Sequence, residues 1–154
     1  AILFVRWLCA WSYASPSIAP PAGLDLQTWT PWAVCLAGLA VVMGHSRSVW
    51  LNFTGGKSAA TGLGVLLAMS WPVGLGAAAV FGLALAVSRI VSLSSMLGAV
   101  TAVALVCGLD QPAPYRLLVI AGALYVILRH RANVKRLLAG TEPRIGKFSP
   151  EAKA

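Results

Sequence analysis

The residues best suited to chemistry in this 154-residue chain lie in three short polar stretches between long apolar runs. The first stretch contains Gly55, Gly56 and Lys57, directly before an Ala- and Leu-rich helical pattern. Two glycines let the backbone approach a ligand closely. A helix N-terminus adds free N–H groups and a partial positive charge, which suit an anion. Together with the lysine, this stretch predicts a phosphate or carboxylate site at a membrane edge.

The same stretch has two other interpretations. Gly-Gly-Lys-Ser resembles the end of a P-loop, but that motif needs a glycine five residues before Gly56, where Leu51 stands. No βαβ pattern surrounds it, so a P-loop is not expected. The alternative that stays open is a glycine-containing turn with Lys57 at the membrane interface.

The second stretch carries two serines and an arginine. Ser92 and Ser95 are three residues apart, so they share a face if a helix begins nearby. Their hydroxyls can cap that helix or bind a phosphate oxygen. Arg89 can hold an anion with its planar fork, or it can be an ordinary interfacial cation. The residues alone leave these alternatives open.

The third stretch follows the last apolar run. His130 and Asn133 are again three residues apart, so they face the same way from the end of that span. An imidazole can donate to a phosphate, and an amide can bind a hydroxyl or orient a loop. A histidine among arginines can equally be a plain interfacial residue.

Composition places these stretches in a membrane. The chain is 58% hydrophobic and 10% charged, with a net charge of +8, which is typical of a polytopic α-helical membrane protein. The basic residues stand at the ends of apolar runs and are not clustered with aromatics. A nucleic-acid partner is therefore not expected. The three cysteines lie inside apolar runs without metal-ligand spacing, so neither a metal site nor a cofactor is expected.

The apolar runs predict one membrane domain over residues 1–154, with a helical bundle at 1–147 and a polar tail at 148–154. Pro-rich residues 15–30 form a loop, Trp71-Pro72 a tight turn, and the basic tail starts at Arg129. Polar residues between the fourth and fifth spans form a short break. The bundle should contain about six spans, at residues 1–14, 31–44, 59–70, 74–88, 96–108 and 115–128.

The distribution of charge predicts the topology. Most lysines and arginines fall in the second, fourth and sixth connections or in the tail, which six crossings place on one side. Asp25 and Asp110 fall on the other side. The basic side should be cytoplasmic. All three polar stretches then meet on the cytoplasmic side, where they can form one composite site.

The polar stretches also follow, in order, the motifs of a known family. Residues 30–147 resemble the bacterial acyl-phosphate:glycerol-3-phosphate acyltransferases, which are integral membrane enzymes of phospholipid synthesis. The matching positions are Gly44, His45, Phe53, Gly55, Gly56, Lys57, Ala60, Thr61 and Gly64 in the first stretch, Arg89, Ser92, Leu93 and Ser95 in the second, and Arg129, His130, Asn133, Arg136, Leu137, Gly140 and Glu142 in the third.

The resemblance implies transfer of an acyl group from acyl phosphate to the 1-hydroxyl of glycerol 3-phosphate. The products would be lysophosphatidic acid and phosphate, made in the bacterial inner membrane with the motif loops and C-terminus cytoplasmic. Lys57, His130 and Ser95 would be catalytic. Substrate would be bound by Gly55, Gly56, Thr61, Arg89, Ser92, Asn133 and His45. Acyl phosphate, glycerol 3-phosphate and the lipid bilayer are the expected partners, and the sequence carries no signal for the oligomeric state.

The residues predict direct transfer. No Ser-His-Asp arrangement is visible, and Trp50 stands where a His-x4-Asp pattern starting at His45 would need its aspartate. The glycerol hydroxyl should therefore attack the acyl group without an acyl-enzyme, with a substrate phosphate as the base.

One part of the family pattern is missing. The family has a Ser- and Asn-rich first motif near its N-terminus, followed by a span with an Asp and a Lys-Gly pair, where this chain has Arg6, Cys9 and Ala10. We expect the six spans to be the last six of the family's seven, in a chain that starts after that motif or has diverged there. The alternative function is a non-catalytic or degenerate membrane subunit of a larger complex.

Overall fold

The described part of the computed structural model, residues 1–14, 25–46 and 59–146, is all helical and contains no strand. This confirms the predicted all-α bundle. The helices are α1 (Ile2–Ala14), α2 (Leu26–Ser46), α3 (Ala59–Met69), α4 (Trp71–Ser88), α5 (Val91–Gly108), α6 (Ala113–Arg129) and α7 (Arg131–Leu138).

Two of these helices, α4 and α5, are long and apolar enough to cross a membrane by themselves. A third candidate span is the pair α6 and α7, which is bent by 55° at His130. Helices α1 and α3 are apolar, with 13 and 11 residues. They are shorter than the roughly 20 residues of a full crossing. Length and composition alone thus support two or three of the six predicted spans within the described residues.

The helices pack closely through small residues. The core is centred on Val34, Val73 and Val106, from α2, α4 and α5, which are at most 1% exposed. A Cβ atom on Gly98 would lie 3.3 Å from the Ala77 carbonyl oxygen, and one on Gly74 would lie 2.7 Å from the Leu67 Cα. Glycine is therefore what allows α4 to approach both of its neighbours.

The junction between α3 and α4 differs from the predicted Trp71-Pro72 turn. The connection is Ser70 alone, and Trp71 and Pro72 begin α4, where proline needs no hydrogen-bond acceptor. Arg6 supports this sharp reversal, because its guanidinium donates to the carbonyl oxygens of Ala68 (2.9 Å) and Met69 (3.3 Å). The charge in α1 thus satisfies the C-terminal end of α3.

The break between α4 and α5 is shorter than predicted. It consists of Arg89, in the left-handed conformation with φ 59°, and Ile90. Ser88 closes the preceding turn, because its Oγ donates to the Ala84 oxygen and accepts from the Ile90 N–H. Ser92 and Ser95 consequently belong to the first turns of α5 and not to a loop.

Helical structure also extends into two segments that hydropathy predicts to be non-helical, the loop before α2 and the tail after α6. Helix α2 begins at Leu26, inside the predicted loop, because the Asp25 carboxylate accepts from the Gln27 N–H and the Thr28 hydroxyl. The predicted tail contains α7, which follows α6 after the bend at His130. Helix α7 buries Asn133 and directs basic residues outward.

Candidate functional site

A cavity of about 990 Å³ lies between helices α2 to α6 and the segment that follows α7. Its body is apolar, with Leu66, Met69, Ala102 and Val119 among the lining residues. One end is polar and is lined by Ser92, Ser95, His130, Asn133 and Glu142. The cavity can therefore hold a molecule that combines a charged or hydroxylated head with an apolar chain.

A single carboxylate organises the polar end. Glu142 Oε1 accepts hydrogen bonds from Ser92 Oγ and Asn133 Nδ2, both at 2.6 Å. Its Oε2 accepts from Arg136 Nε at 2.8 Å. The Glu142 side chain is 5% exposed, while that of Arg136 is 44% exposed. The carboxylate thus ties the start of α5, helix α7 and the following segment together.

The environment of Glu142 keeps it ionised. Burial would raise the pKa of this carboxyl group, but hydrogen bonds from Ser92, Asn133 and Arg136 and the arginine charge outweigh that effect, so the pKa lies below its ordinary value. Because its proton affinity is low and its oxygens are occupied, Glu142 is suited to positioning its neighbours. It is poorly suited to accept a proton from a substrate.

His130 is fixed by the bend between α6 and α7. It is 3% exposed, and its backbone N–H donates to the Val126 and Ile127 oxygens at the end of α6. Its Nδ1 lies 2.7 Å from the Val126 oxygen. A carbonyl can only accept, so Nδ1 carries a hydrogen. Nε2 is then the nitrogen left for a ligand, as an acceptor in the neutral ring and as a donor when protonated.

The two serines line the cavity from one face of α5, as their spacing predicts. Ser92 Oγ donates to Glu142, and Ser95 Oγ donates to the Val91 oxygen at 2.9 Å. The alternative that these hydroxyls cap the helix is wrong, because the N-cap residue is Ile90 and no side chain in the described part of the chain caps α5. The N-terminus of α5 therefore retains its affinity for an anion.

The remaining predicted site residues are placed differently. His45, at the end of α2, lines the cavity and is exposed. Thr61 is half-buried on α3, and Arg89 is exposed; neither is among the residues that line the cavity. Gly55, Gly56 and Lys57 lie outside the described residues. Within the described ranges, no group of three or more His, Cys, Asp or Glu side chains could hold a metal ion.

Two residues at the polar end, Glu142 and Arg144, are not among the predicted site residues, although Glu142 matched the family pattern. A signal for Glu142 is present in the sequence, because the chain has only four acidic residues and this one stands in a basic segment. A buried role for the single carboxylate there could have been inferred from charge alone. Arg144, which also lines the cavity, has no comparable signal.

Comparison with known proteins identifies the family. The sequence model of the glycerol-3-phosphate acyltransferases matches residues 1–140 of this chain.

The chain belongs to the glycerol-3-phosphate acyltransferase family. Glycerol-3-phosphate acyltransferase 2 of Rhizobium johnstonii is 74% identical over 149 residues, covering 97% of this chain and 68% of that protein. The Trichormus variabilis glycerol-3-phosphate acyltransferase is 54% identical over 147 residues, covering 96% of this chain and 64% of that protein. The chain thus spans about two thirds of the length of these relatives. The family predicted from the three polar stretches is confirmed.

Solved structures support the same family and its membrane fold. PlsY, an integral membrane glycerol 3-phosphate acyltransferase crystallised in its glycerol 3-phosphate form, matches with a TM-score of 0.74 and 34% identity over 79% of this chain and 62% of its own. The lysophosphatidic acid form of PlsY matches with a TM-score of 0.69 and 32% identity over 79% of this chain and 69% of its own. The prediction of a bacterial membrane acyltransferase fold is confirmed.

Proposed function

We propose that this chain transfers an acyl group from acyl phosphate to the 1-hydroxyl of glycerol 3-phosphate, releasing lysophosphatidic acid and phosphate. The observation that carries the proposal is the division of the cavity of about 990 Å³ into a polar end and an apolar body. Both substrates carry phosphate, and the donor also carries a long apolar chain. The names of the family relatives and the two forms of PlsY support glycerol 3-phosphate as the acceptor and lysophosphatidic acid as the product. The choice of acyl phosphate as the donor rests on the sequence motifs.

The polar end would take the phosphates and the glycerol. The N-terminus of α5 would offer N–H donors to a phosphate. The hydroxyls of Ser92 and Ser95 would donate to the phosphate by turning away from Glu142 and from the Val91 oxygen.

His130 would present Nε2 to glycerol 3-phosphate. Asn133, whose amide is held by its hydrogen bond to Glu142, would bind glycerol 3-phosphate beside His130. His45, at the end of α2, would also bind substrate.

The first polar stretch completes the proposed site. Lys57, with the amides of Gly55 and Gly56, would bind a phosphate and stabilise charge that develops on the acyl oxygen during transfer. Thr61 and Arg89 do not line the cavity, so their predicted roles in substrate binding rest on the sequence alone.

The reaction would proceed in one displacement. The 1-hydroxyl oxygen of glycerol 3-phosphate attacks the acyl carbon, the bond from that carbon to the phosphate oxygen breaks, and phosphate leaves with the electron pair. The hydroxyl proton passes to a substrate phosphate. Positioning both substrates in this way converts a bimolecular reaction into an effectively unimolecular one.

The proposed location is the inner membrane, with the site on the cytoplasmic side. The support comes from charge, because helix α7, whose Asn133 lines the polar end of the cavity, carries the exposed basic residues Arg131, Lys135 and Arg136. Basic residues are enriched on the cytoplasmic side of membrane proteins. Acyl phosphate and glycerol 3-phosphate would reach the cavity from that side.

The test is acyl transfer by the purified full chain, measured as lysophosphatidic acid and phosphate released from acyl phosphate and glycerol 3-phosphate. His130→Asn keeps a donor near the Val126 oxygen but removes Nε2, and Lys57→Ala removes the proposed cation. Each should lower the rate by about 100- to 1000-fold. Arg131→Ala, an exposed cation that does not line the cavity, is the matched control and should keep parental activity.

The results would be judged only for variants that purify and melt like the parent. Parental rates in both His130→Asn and Lys57→Ala would contradict the proposed roles. A folded parent chain that releases neither product would favour the alternative of a non-catalytic membrane subunit.

A further inference from the structure

A second pocket, of about 440 Å³, lies on the outer side of α4. Its walls are Gly82, Leu85 and Ala86 of α4, Arg89, and the segment of Ile145 and Gly146 that crosses the end of the helix. Of the described residues that line this pocket, Arg89 alone carries a charge. The pocket is therefore apolar along its length and cationic at one end.

The helix geometry gives the pocket the shape of a slot. Gly82, Ala86 and Arg89 follow one stripe of the helix and its continuation, and seven residues at 1.5 Å per residue span about 10 Å. Gly82 and Ala86 have small side chains and so leave space above the helix surface. A Cβ atom added to Gly82 would meet nothing within 4 Å. Ile145 lines the pocket at the end nearest Arg89, because its N–H donates to the Arg89 oxygen. A linear apolar chain fits such a slot better than a compact ligand does.

The cation at the end of the slot is held in place through its backbone. The Arg89 N–H donates to the Leu85 oxygen, and the Arg89 oxygen accepts from the Ile145 N–H, both at 2.8 Å. The guanidinium runs beside Gly146, with a nitrogen 3.9 Å from the position of an added Cβ atom. Its side chain is exposed and makes no ion pair with another described residue. The charge is therefore available to a ligand.

If α4 crosses the membrane, the apolar part of the slot lies at the depth of the acyl chains and Arg89 at the depth of the head groups. Helix α4 is one of the helices that can span the membrane, and only 17% of its span is buried within the protein. Leu83 and Val87, beside the slot, are 68% and 87% exposed. Arg89 follows the last residue of this helix, where a cation stands at the level of lipid head groups.

We propose that this slot binds one bilayer phospholipid with a net negative head group. Its phosphate would contact Arg89, and the first part of one acyl chain would lie against Gly82 and Ala86. Ile145 lines both this slot and the large cavity. The bound lipid would therefore stabilise the position of the segment after α7, which carries both Ile145 and Glu142.

The test is lipid retention by the purified full chain, measured by native mass spectrometry with phosphatidylglycerol and phosphatidylcholine of identical acyl chains. The parent should prefer phosphatidylglycerol. Arg89→Ala should lose that preference by roughly two- to fivefold, the range of an exposed ion pair. Arg89→Lys should keep part of it. Arg131→Ala, which removes another exposed cation that lines neither the slot nor the large cavity, should match the parent.

A second pair of variants tests the apolar part of the site. Gly82→Phe fills the slot without changing charge and should lower phosphatidylglycerol retention, while Val87→Phe on the exposed neighbouring face should not. The proposal is overturned if Arg89→Ala retains the parental preference, if Arg131→Ala loses as much, or if Gly82→Phe retains lipid like the parent. Loss of acyl transfer by Arg89→Ala with unchanged lipid retention would instead assign this arginine to the reaction.

Discussion

At the polar end of the cavity, residues from distant parts of the chain are held by one carboxylate. Ser92 and Asn133 could be predicted as site residues because each has a chemical partner three residues away, which places the pair on one helix face. Glu142 could not be predicted as their common acceptor, because it lies 50 residues from Ser92. Local spacing carries no information on such a long-range contact. The lone acidic residue in a basic segment was the only local signal.

Replacing Glu142 with glutamine should destabilise the protein. The amide group would place a donor against Arg136 or against Ser92 and Asn133, so at least one hydrogen bond to a charged group is lost. We expect a cost of about 1.5–3 kcal/mol in the free energy of unfolding. Asp110→Asn is the control, because its ion pair with Arg116 has a 96% exposed carboxylate and should matter little. Thermal unfolding in detergent is the measurement, and equal melting temperatures for the two variants would contradict the account.

The same carboxylate predicts a dependence of stability on pH. Because the pKa of Glu142 is lowered in the folded protein, its contribution is fully present above the pKa of the unfolded chain, about 4.3. It is lost as the pH falls through the lower pKa of the folded state. The melting temperatures of the parent and Glu142→Gln should differ by a constant amount from pH 7 to 5 and converge below about pH 4. A difference that stays constant down to pH 3 would contradict the assigned charge state.

Neither serine at the site should form an acyl-enzyme. Ser92 Oγ donates to a carboxylate whose lowered pKa makes it a weak base, and Ser95 Oγ donates to a backbone carbonyl that cannot accept a proton. The full chain incubated with labelled acyl phosphate alone should therefore retain no label after denaturation. A stable acyl ester on Ser92 or Ser95, found by peptide mass spectrometry, would replace direct transfer with a two-step reaction.

At the scale of the helices, hydropathy predicted the existence of six helices but placed several of their ends wrongly. Polar residues that begin a helix look like a loop in the sequence, which is why Ser92 and Ser95 seemed to precede α5. Helix α7 was missed because its residues are mostly polar and it has only eight of them. At the single-residue turn at Ser70, Arg6 donates to the end of α3, a contact across 62 residues that periodicity cannot reveal.

The close approach of α3 and α4 should depend on Gly74. A Cβ atom there would lie 2.7 Å from the backbone N and Cα of Leu67, which cannot move aside as a side chain can. Gly74→Ala should therefore destabilise the protein by about 1–3 kcal/mol. Gly64→Ala in α3, where an added Cβ meets nothing within 4 Å, should be neutral or stabilising by up to about 1 kcal/mol. Thermal unfolding distinguishes them, and a Gly74→Ala variant as stable as Gly64→Ala would show that the helices are not so tightly packed.

At the scale of the whole molecule, the bundle places polar groups from α5, from the bend after α6, from α7 and from the segment that follows α7 at one end of an apolar cavity. The convergence of these groups could be predicted from the number of spans and the sidedness of charge. The cavity could not, because its shape depends on which helix faces meet and on the small residues that line them. Ala99 and Ala102 line it from α5, one and two turns beyond Ser95, so the apolar body continues directly from the polar end.

The measurement that tests the central claim most directly is acyl transfer to glycerol 3-phosphate by an Ala99→Phe variant, with long-chain and short-chain acyl phosphates. A phenyl group at Ala99 would occupy the apolar body about one turn beyond Ser95. Displacing two or more methylenes at about 0.8 kcal/mol each should lower the rate with the long-chain donor about tenfold or more. The short-chain donor should be affected little. Ala104→Phe, on the exposed face of α5, should act like the parent with both donors.

If the apolar body of the cavity holds the acyl chain, only the combination of Ala99→Phe and the long-chain donor is slow. Parental turnover of the long-chain donor by Ala99→Phe, in a variant that melts like the parent, would contradict the claim that acyl transfer takes place in this cavity.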